Sequence, residues 1–225
     1  MLTFHNIHIL SIKNIIKNKS IFIFDFDGVL VDSVEVKTNA FAALYEKYGK
    51  NIVEKVIKHH RMNGGMSRYE KFSYYHEYFL NQKITKDELD DLDKIFSNII
   101  VDKVVNSPEI EGATDFLNRL YGNYKIFINS ATPTAEIKKI IVLRGWSHYF
   151  TRILGSPDDK IANLQTILDY EKNKSIKDCL FFGDAESDYK AASYFGIDFI
   201  LLLTSNMIFP FTKKVQHKIS NFNRL

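Results

Sequence analysis

The 225-residue sequence predicts an α/β fold, a Rossmann-like parallel sheet with helices on both faces plus an inserted helical segment. Three observations carry that expectation. Short, near-continuous apolar runs recur along the chain, and each ends in a small or acidic residue. Helix-length segments alternate with these runs, the pattern of a parallel sheet covered on both faces. From Val34 to Asn106 the alternation stops, with helical patterning, no proline and no convincing strand.

Taken in order, the first strand is Ile21-Phe22-Ile23-Phe24, running into Asp25. Candidate helices follow at Glu35–Tyr48, Ile52–His59, Ser67–Leu80 and Lys86–Val104, and the chain returns to the sheet near Pro108. A second strand, Tyr124–Ile128, precedes Asn129-Ser130, and the segment Thr134–Arg144 reads as its helix. A weaker strand at Arg152–Leu154 ends at Gly155 and leads to a helix over Lys160–Tyr170. Then come Cys179–Phe182 before Gly183-Asp184, a helix over Asp188–Phe195, and a strand at Asp198–Leu202. The expected division is therefore 1–33 and 107–225 as sheet core, with 34–106 as helical insertion. In such sheets the chemistry gathers at the carboxyl ends of the strands, and every polar residue just named stands there.

Composition narrows the classes of partner. Lys+Arg 30 against Asp+Glu 27 gives a net charge of +3, so nothing calls for a nucleic-acid or membrane surface. Basic residues near the ends (Lys13, Lys17, Lys19, Lys213, Lys214, Lys218, Arg224) are interrupted by apolar ones and read as solvated termini. A single cysteine, Cys179, excludes a disulfide within the chain and reads as a buried thiol. No apolar stretch approaches the roughly 18 residues of a membrane helix. The opening Met1-Leu2-Thr3-Phe4-His5 lacks the features of a signal peptide. A cytoplasmic location is the expectation, and oligomeric state is not legible.

The chemistry begins at Phe24-Asp25-Phe26-Asp27-Gly28. Buried carboxylates are costly without compensation. At strand spacing Asp25 and Asp27 point the same way, and two adjacent carboxylates imply a bound cation or a shared proton. Magnesium is the usual cation for hard oxygen ligands and also neutralises phosphate. Gly28 allows a sharp turn and a close approach of backbone to ligand. Read alone, the same residues also suit a strand followed by an acidic turn.

Four separated motifs, in order along nearly the whole chain, resemble those of the haloacid dehalogenase (HAD) superfamily of phosphohydrolases. Asp25-x-Asp27-Gly28-Val29 resembles the first, which implies Asp25 as nucleophile and Asp27 as general acid/base. Ser130 is similar to the second, a hydroxyl that bonds the phosphoryl oxygens, and Ala131-Thr132-Pro133 behind it opens a helix whose N–H groups suit an anion. Lys160 resembles the third, a cation beside nucleophile and phosphate. Gly183-Asp184-Ala185-Glu186-Ser187-Asp188 matches the fourth, which holds the metal. The resemblance implies a Mg2+-dependent phosphatase acting on a small phosphorylated metabolite, with Asp25, Asp27, Asp184 and Asp188 as the metal set. Asp32 reads as a helix cap.

A helical insertion between the first and second motifs resembles the capped subgroup, phosphoglycolate phosphatase- or β-phosphoglucomutase-like, in which the cap supplies substrate contacts. The candidate segment is His59-His60-Arg61-Met62-Asn63-Gly64-Gly65-Met66-Ser67-Arg68, where Arg61 and Arg68 suit an anionic substrate. Each arginine equally suits a solvated turn. Lys37 faces either the site or solvent. His59 and His60 are adjacent and diverge on a helix, so they make no metal pair. Tyr74, Tyr75 and Tyr78 read as helix packing. Two alternatives stand beside the phosphatase: a phosphomutase of the same family, disfavoured because Ser33–Lys37 holds no His, and a non-catalytic protein on the same fold.

Overall fold

A computed structural model describes residues 4–203 and 210–225. Six strands form one sheet: β1 (Ile21–Phe24), β2 (Lys125–Pro133), β3 (Arg152–Ser156), β4 (Cys179–Gly183), β5 (Asp198–Leu202) and β6 (His217–Ile219). Their order is β3-β2-β1-β4-β5-β6 and every pairing is parallel. In register, Phe24 lies beside both Ile128 and Phe182. The order reverses on either side of β1. The crevice beyond the carboxyl ends of β1, β2 and β4 is thus the place where such sheets bind ligands.

Strand alternation sorts the side chains. Phe22 and Phe24 of β1 join one apolar cluster, whereas Ile21 and Ile23 join the cluster on the opposite face. Nine α-helices accompany the sheet among the described residues: α1 (Phe4–Lys17), α2 (Val34–Tyr45), α3 (Lys50–Met62), α4 (Arg68–Tyr74), α5 (Lys86–Val105), α6 (Ala113–Leu120), α7 (Thr134–Leu143), α8 (Lys160–Tyr170) and α9 (Glu186–Phe195). Helices α1, α6 and α7 contribute buried residues to the Phe22 side, α8 and α9 to the other.

Helices α2 to α5 make up the insertion between β1 and β2. The chain leaves and returns side by side, with the Asp32 N–H donating to the Pro108 carbonyl at 2.9 Å. Helices α4 and α5 each begin with a reciprocal cap, Ser67 with Glu70 and Thr85 with Glu88, which satisfies backbone donors at both starts. The insertion closes on its own aromatic centre, in which Phe41 meets Phe72, Tyr75 and Phe96 at centroid distances of 4.5 to 5.9 Å. Tyr75 is fully buried there and Tyr74 stacks on His59, so both serve packing, while Tyr78 is exposed.

Three details differ from the sequence expectations. The N-terminal region forms α1, whose amphipathic pattern seats Ile12 in the core. Lys19, expected in solvent, is buried and pairs with Asp198 at 2.5 Å. Asp32 is exposed and does not cap α2: Ser33 occupies that position, and its hydroxyl turns to Asp27 instead of the helix N–H groups. Strand β6, helix α6 behind Pro108, and a π turn at Tyr75–Phe79 had no clear sequence signal. The start of the chain, Met1–Thr3, on which part of the leader-peptide reading rests, lies outside the described residues. Cys179 is fully buried, and burial pushes its thiol up to about 11.

Candidate active site

Asp25 follows β1 directly, and its backbone N–H still donates to the Phe182 carbonyl of β4 at 2.9 Å. One carboxylate oxygen accepts the Phe26 N–H at 2.7 Å and the other meets Lys160 Nζ at 2.7 Å. Lys160 is the first residue of α8, an unfavourable end of a helix for a cation. It is held there by Asp159, whose carboxylate accepts the Ile161 and Ala162 N–H groups, and by Asn129, whose side-chain amide donates to the Lys160 carbonyl. The ammonium is 5% exposed and bridges Asp25 and Asp188, which outweigh the effect of burial and hold its pKa above the ordinary value.

On the far side of β1, Asp184 leaves β4 and Asp188 turns back from α9. Asp188 is fully buried, donating nothing and accepting from both Lys160 Nζ and the Ala185 N–H. Carboxylate oxygens of Asp25, Asp184 and Asp188 lie within 4.8 Å of one another. Burial pushes Asp25 up to about 7, opposed by Lys160 and reinforced by Asp188 and Asp27; Asp184 is raised well above the ordinary carboxylate range by burial, then by Asp25 and Asp188. Three hard oxygen donors that repel one another in a buried site fit a divalent cation, which would remove that repulsion. Gly28 makes the close packing feasible. Its φ is +76°, and a Cβ there would sit 2.3 Å from Asp184 Oδ2.

Asp27 shares the strand end but not the acidic cluster. Its carboxylate accepts from the Ser33 hydroxyl at 2.6 Å, from the Thr132 hydroxyl at 3.0 Å, and from Lys37 Nζ. Burial raises its pKa, yet Lys37 with these hydroxyls prevails and keeps it below the ordinary value. Lys37 thus faces the site from α2 and also donates to Thr132 Oγ1 at 2.6 Å. Ser130 and Ala131 stand at the end of β2, and the buried Ser130 hydroxyl accepts the Thr132 N–H at 3.1 Å, leaving its own proton to donate.

Above these residues the insertion closes a cavity of about 290 Å³ that reaches from Asp25 and Ser130 to the helices α2, α3 and α4. Arg61 lines it, half exposed, with only the exposed Glu35 at 3.1 Å. Arg68 also reaches it, but its guanidinium is buried in a two-point pair with Glu136 of α7 and a 3.1 Å contact to Asp93. It therefore ties insertion to core. Gly65 lies equally close to the core, since a Cβ there would meet Ser187 Oγ at 1.6 Å. Two polar lining residues escaped sequence reasoning, Thr132 and Lys71, while His60 lies within the segment it singled out. Thr132 follows Ser130 by two residues and was legible as a second hydroxyl on that strand end; Lys71 was one of many lysines on an amphipathic helix, with nothing local to mark it.

The profile of the haloacid dehalogenase-like hydrolase family matches residues 22–202. No curated protein sequence gives a match. Among solved structures, the chain is similar to a protein of Haemophilus somnus described as a predicted phosphoglycolate phosphatase, at 19% identity and TM-score 0.70, covering 91% of this chain and 95% of that one. It is similar to a haloacid dehalogenase-like hydrolase family protein of Streptococcus pneumoniae at 20% identity and TM-score 0.62, covering 83% and 86%. It is also similar to Bacillus subtilis YfnB, assigned as a HAD hydrolase and solved with magnesium, at 16% identity and TM-score 0.66, covering 90% and 95%. At these identities the shared property is the fold. With the profile spanning most of the chain and the acidic strand ends converging on one crevice, the protein belongs to the haloacid dehalogenase-like hydrolase family.

Proposed function

We propose that this family member is a magnesium-dependent phosphatase of small phosphorylated metabolites that carries the phosphoryl group on Asp25. The observation that carries the reading is the convergence of Asp25, Lys160, Asp184 and Asp188 in one buried cluster beside the Ser130 hydroxyl. Magnesium in the homologous fold of YfnB supports the choice of cation. The ligands assigned to it are Asp25, Asp184 and Asp188, while the Asp27 side chain, already engaged by Lys37, Ser33 and Thr132, is kept for proton transfer. When bound, the cation supplies positive charge that offsets repulsion between the nucleophile and the phosphate.

In the first step an oxygen of Asp25 attacks phosphorus and the P–O bond to the leaving group breaks, forming an aspartyl phosphate. Asp27 gives its proton to the departing oxygen; in the second step it takes a proton from water, which attacks phosphorus and frees Asp25 and inorganic phosphate. Lys160 stays beside Asp25 throughout and balances charge on the phosphoryl oxygens, with Ser130 and the N–H of Ala131 as donors. Asp27 needs a proton at the moment of bond breaking, so Lys37 must leave it for the incoming phosphate, which links substrate entry to acid catalysis.

Residues 34–106 serve as a cap over a core of 1–33 and 107–225, with Arg61 and Lys37 on the substrate side. Arg68, although it lines the cavity, acts through its pair with Glu136 to hold the cap closed. No described helix is long and apolar enough to cross a membrane, and the lone buried thiol suits the cytoplasm. The test is phosphate release from a panel of phosphorylated metabolites with magnesium and with EDTA. Magnesium-dependent release that vanishes in Asp25→Asn is expected. Release that survives Asp25→Asn would exclude Asp25 as nucleophile, and none from any compound in folded wild-type protein would overturn the phosphatase reading.

A further inference from the structure

The cavity wall holds four lysine and arginine side chains, and three have a carboxylate partner: Lys37 with Asp27, Arg61 with Glu35, and Arg68 with Glu136 and Asp93. The fourth is Lys71 on α4. It is 2% exposed, and no carboxylate among the described residues lies within 4 Å of its ammonium. Its nearest polar partner is neutral, the Nδ1 of His60 at 3.0 Å, and its ammonium lies 5.5 Å from the centroid of the Phe41 ring. A buried cation without a counter-ion is among the costlier features a fold can retain. A leucine or methionine would fill the same space beside Phe41 and Phe72 without that cost.

The surroundings make the cost larger. His60 is itself 5% exposed and lies against Phe41 at a centroid distance of 4.7 Å. Burial first, and then the charges of Lys71, Lys37 and Arg61, keep its ring neutral, so Nδ1 accepts from Lys71 and the ring proton sits on Nε2. Lys71 thus bonds, and Lys37 and Arg61 act electrostatically on, one neutral imidazole in the cavity wall. Lys71 responds as expected, pushed down to about 7 by burial and then by Lys37.

We infer that Lys71 and His60 form the cap half of a two-ended site, which binds a second anionic group on the substrate while the transferred phosphoryl group lies at Asp25. The inference deepens the phosphatase reading and rests on it for the position of the first anion. That anion is served by Lys160, Ser130 and the acidic cluster's cation, all on the core side. Lys71 stands on the opposite wall, on the insertion. A carboxylate or a second phosphoryl group there supplies the counter-ion that the chain itself omits, and binding it requires the cap to be closed. The substrate class is thus a short phosphate monoester with an anionic group at its other end.

The experiment compares esters that differ only in that charge. 2-Carboxyethyl phosphate is set against its neutral isostere 2-carbamoylethyl phosphate, and propane-1,3-diyl bisphosphate against 3-hydroxypropyl phosphate. Wild-type protein is expected to prefer at least one charged member by about tenfold or more in kcat/KM, the scale of a charge-assisted hydrogen bond. The arm that shows the preference identifies carboxylate or phosphoryl as the natural group. In Lys71→Met the ratio is expected to fall to within about threefold of unity, and in Lys71→Arg to persist. A wild-type ratio near unity in both arms, or a tenfold ratio retained by Lys71→Met, overturns the proposal. The same pairs titrated by calorimetry into Asp25→Asn protein read the subsite without turnover. Discrimination there with no phosphate release by wild type would sink the phosphatase reading and keep the subsite. Equal binding of charged and neutral esters would sink the subsite whatever the turnover.

Discussion

Replacing Lys71 by methionine should make the unliganded protein's stability respond to pH in a defined way. In the folded chain Lys71 titrates near 7, whereas an ordinary lysine does so at 10.5. Between those values the unfolded chain holds a proton that the folded one has lost, so wild-type stability rises with pH across this window. Below 7 both states are charged and the full cost of burial is present; above 10.5 both are neutral and it is gone. The interval spans about 3.5 pH units at about 1.4 kcal/mol each, or roughly 5 kcal/mol, reduced to about 2–5 kcal/mol by relaxation around the charge. The groups acting on Lys71 are Lys37 and Arg68, which lower it, and Glu70 and Asp27, which raise it; all are present in both proteins. Loss of the donor to His60 adds a penalty that does not depend on pH in this range, because His60 titrates well below 6.5. Urea unfolding followed by the single, buried Trp146 at pH 6.5 and 10.5 measures the difference between the two proteins. That difference should move in favour of wild type by about 2–5 kcal/mol as pH rises. A difference that stays constant within about 1 kcal/mol would refute the reasoning.

Arg68→Met leaves Glu136 buried without its cation and should cost about 3–5 kcal/mol by urea unfolding at pH 7. Most of that loss should be recovered in Arg68→Met/Glu136→Met, and a single-variant cost under about 1 kcal/mol would show that the pair does not hold the insertion closed. Magnesium should raise the thermal midpoint of wild type and leave that of Asp184→Asn unchanged, since the substitution removes one of three clustered carboxylates. In EDTA, wild type should lose stability as pH rises from 5 to 7: Asp25, raised to about 7, keeps in the folded state a proton that the unfolded chain releases near 3.8. Magnesium should flatten that slope, and equal slopes with and without it would count against Asp25 as a ligand. Gly28→Ala combines a left-handed backbone, worth about 1–2 kcal/mol, with a Cβ inside contact distance of Asp184, so magnesium-dependent phosphate release should fall by about a hundredfold or more.

Much of the architecture was legible because it is written in short-range pattern. Apolar runs of four or five residues, ended by Asp25, Ser130 or Asp184, mark parallel strands wherever they occur. The bounds of α8 and β5 match the sequence reading residue for residue, since Asp159 and Asp198 punctuate them locally. Strand β6 was not legible. Three residues of modest apolarity become a strand only because β5 offers them an edge. Helix α1 was not legible because basic residues interrupt its apolar ones, although Ile12 on it and Lys19 just beyond it both face inward.

The same division runs through the site. The residue types and order of Asp25, Asp27, Gly28, Ser130, Lys160, Asp184 and Asp188 were set by the chain, because chemistry at strand ends demands particular side chains at particular local positions. Tertiary structure alone decided what each one touches. It turned Asp27 to Lys37 and Thr132 and away from the acidic cluster, and it used Arg68 on Glu136, a residue 68 positions distant. It also buried Lys71 beside His60 with no counter-ion. Such pairings depend on which faces of separate helices meet across a cavity, and the energy that fixes them, desolvation set against a partner's charge, exists only once the chain has closed.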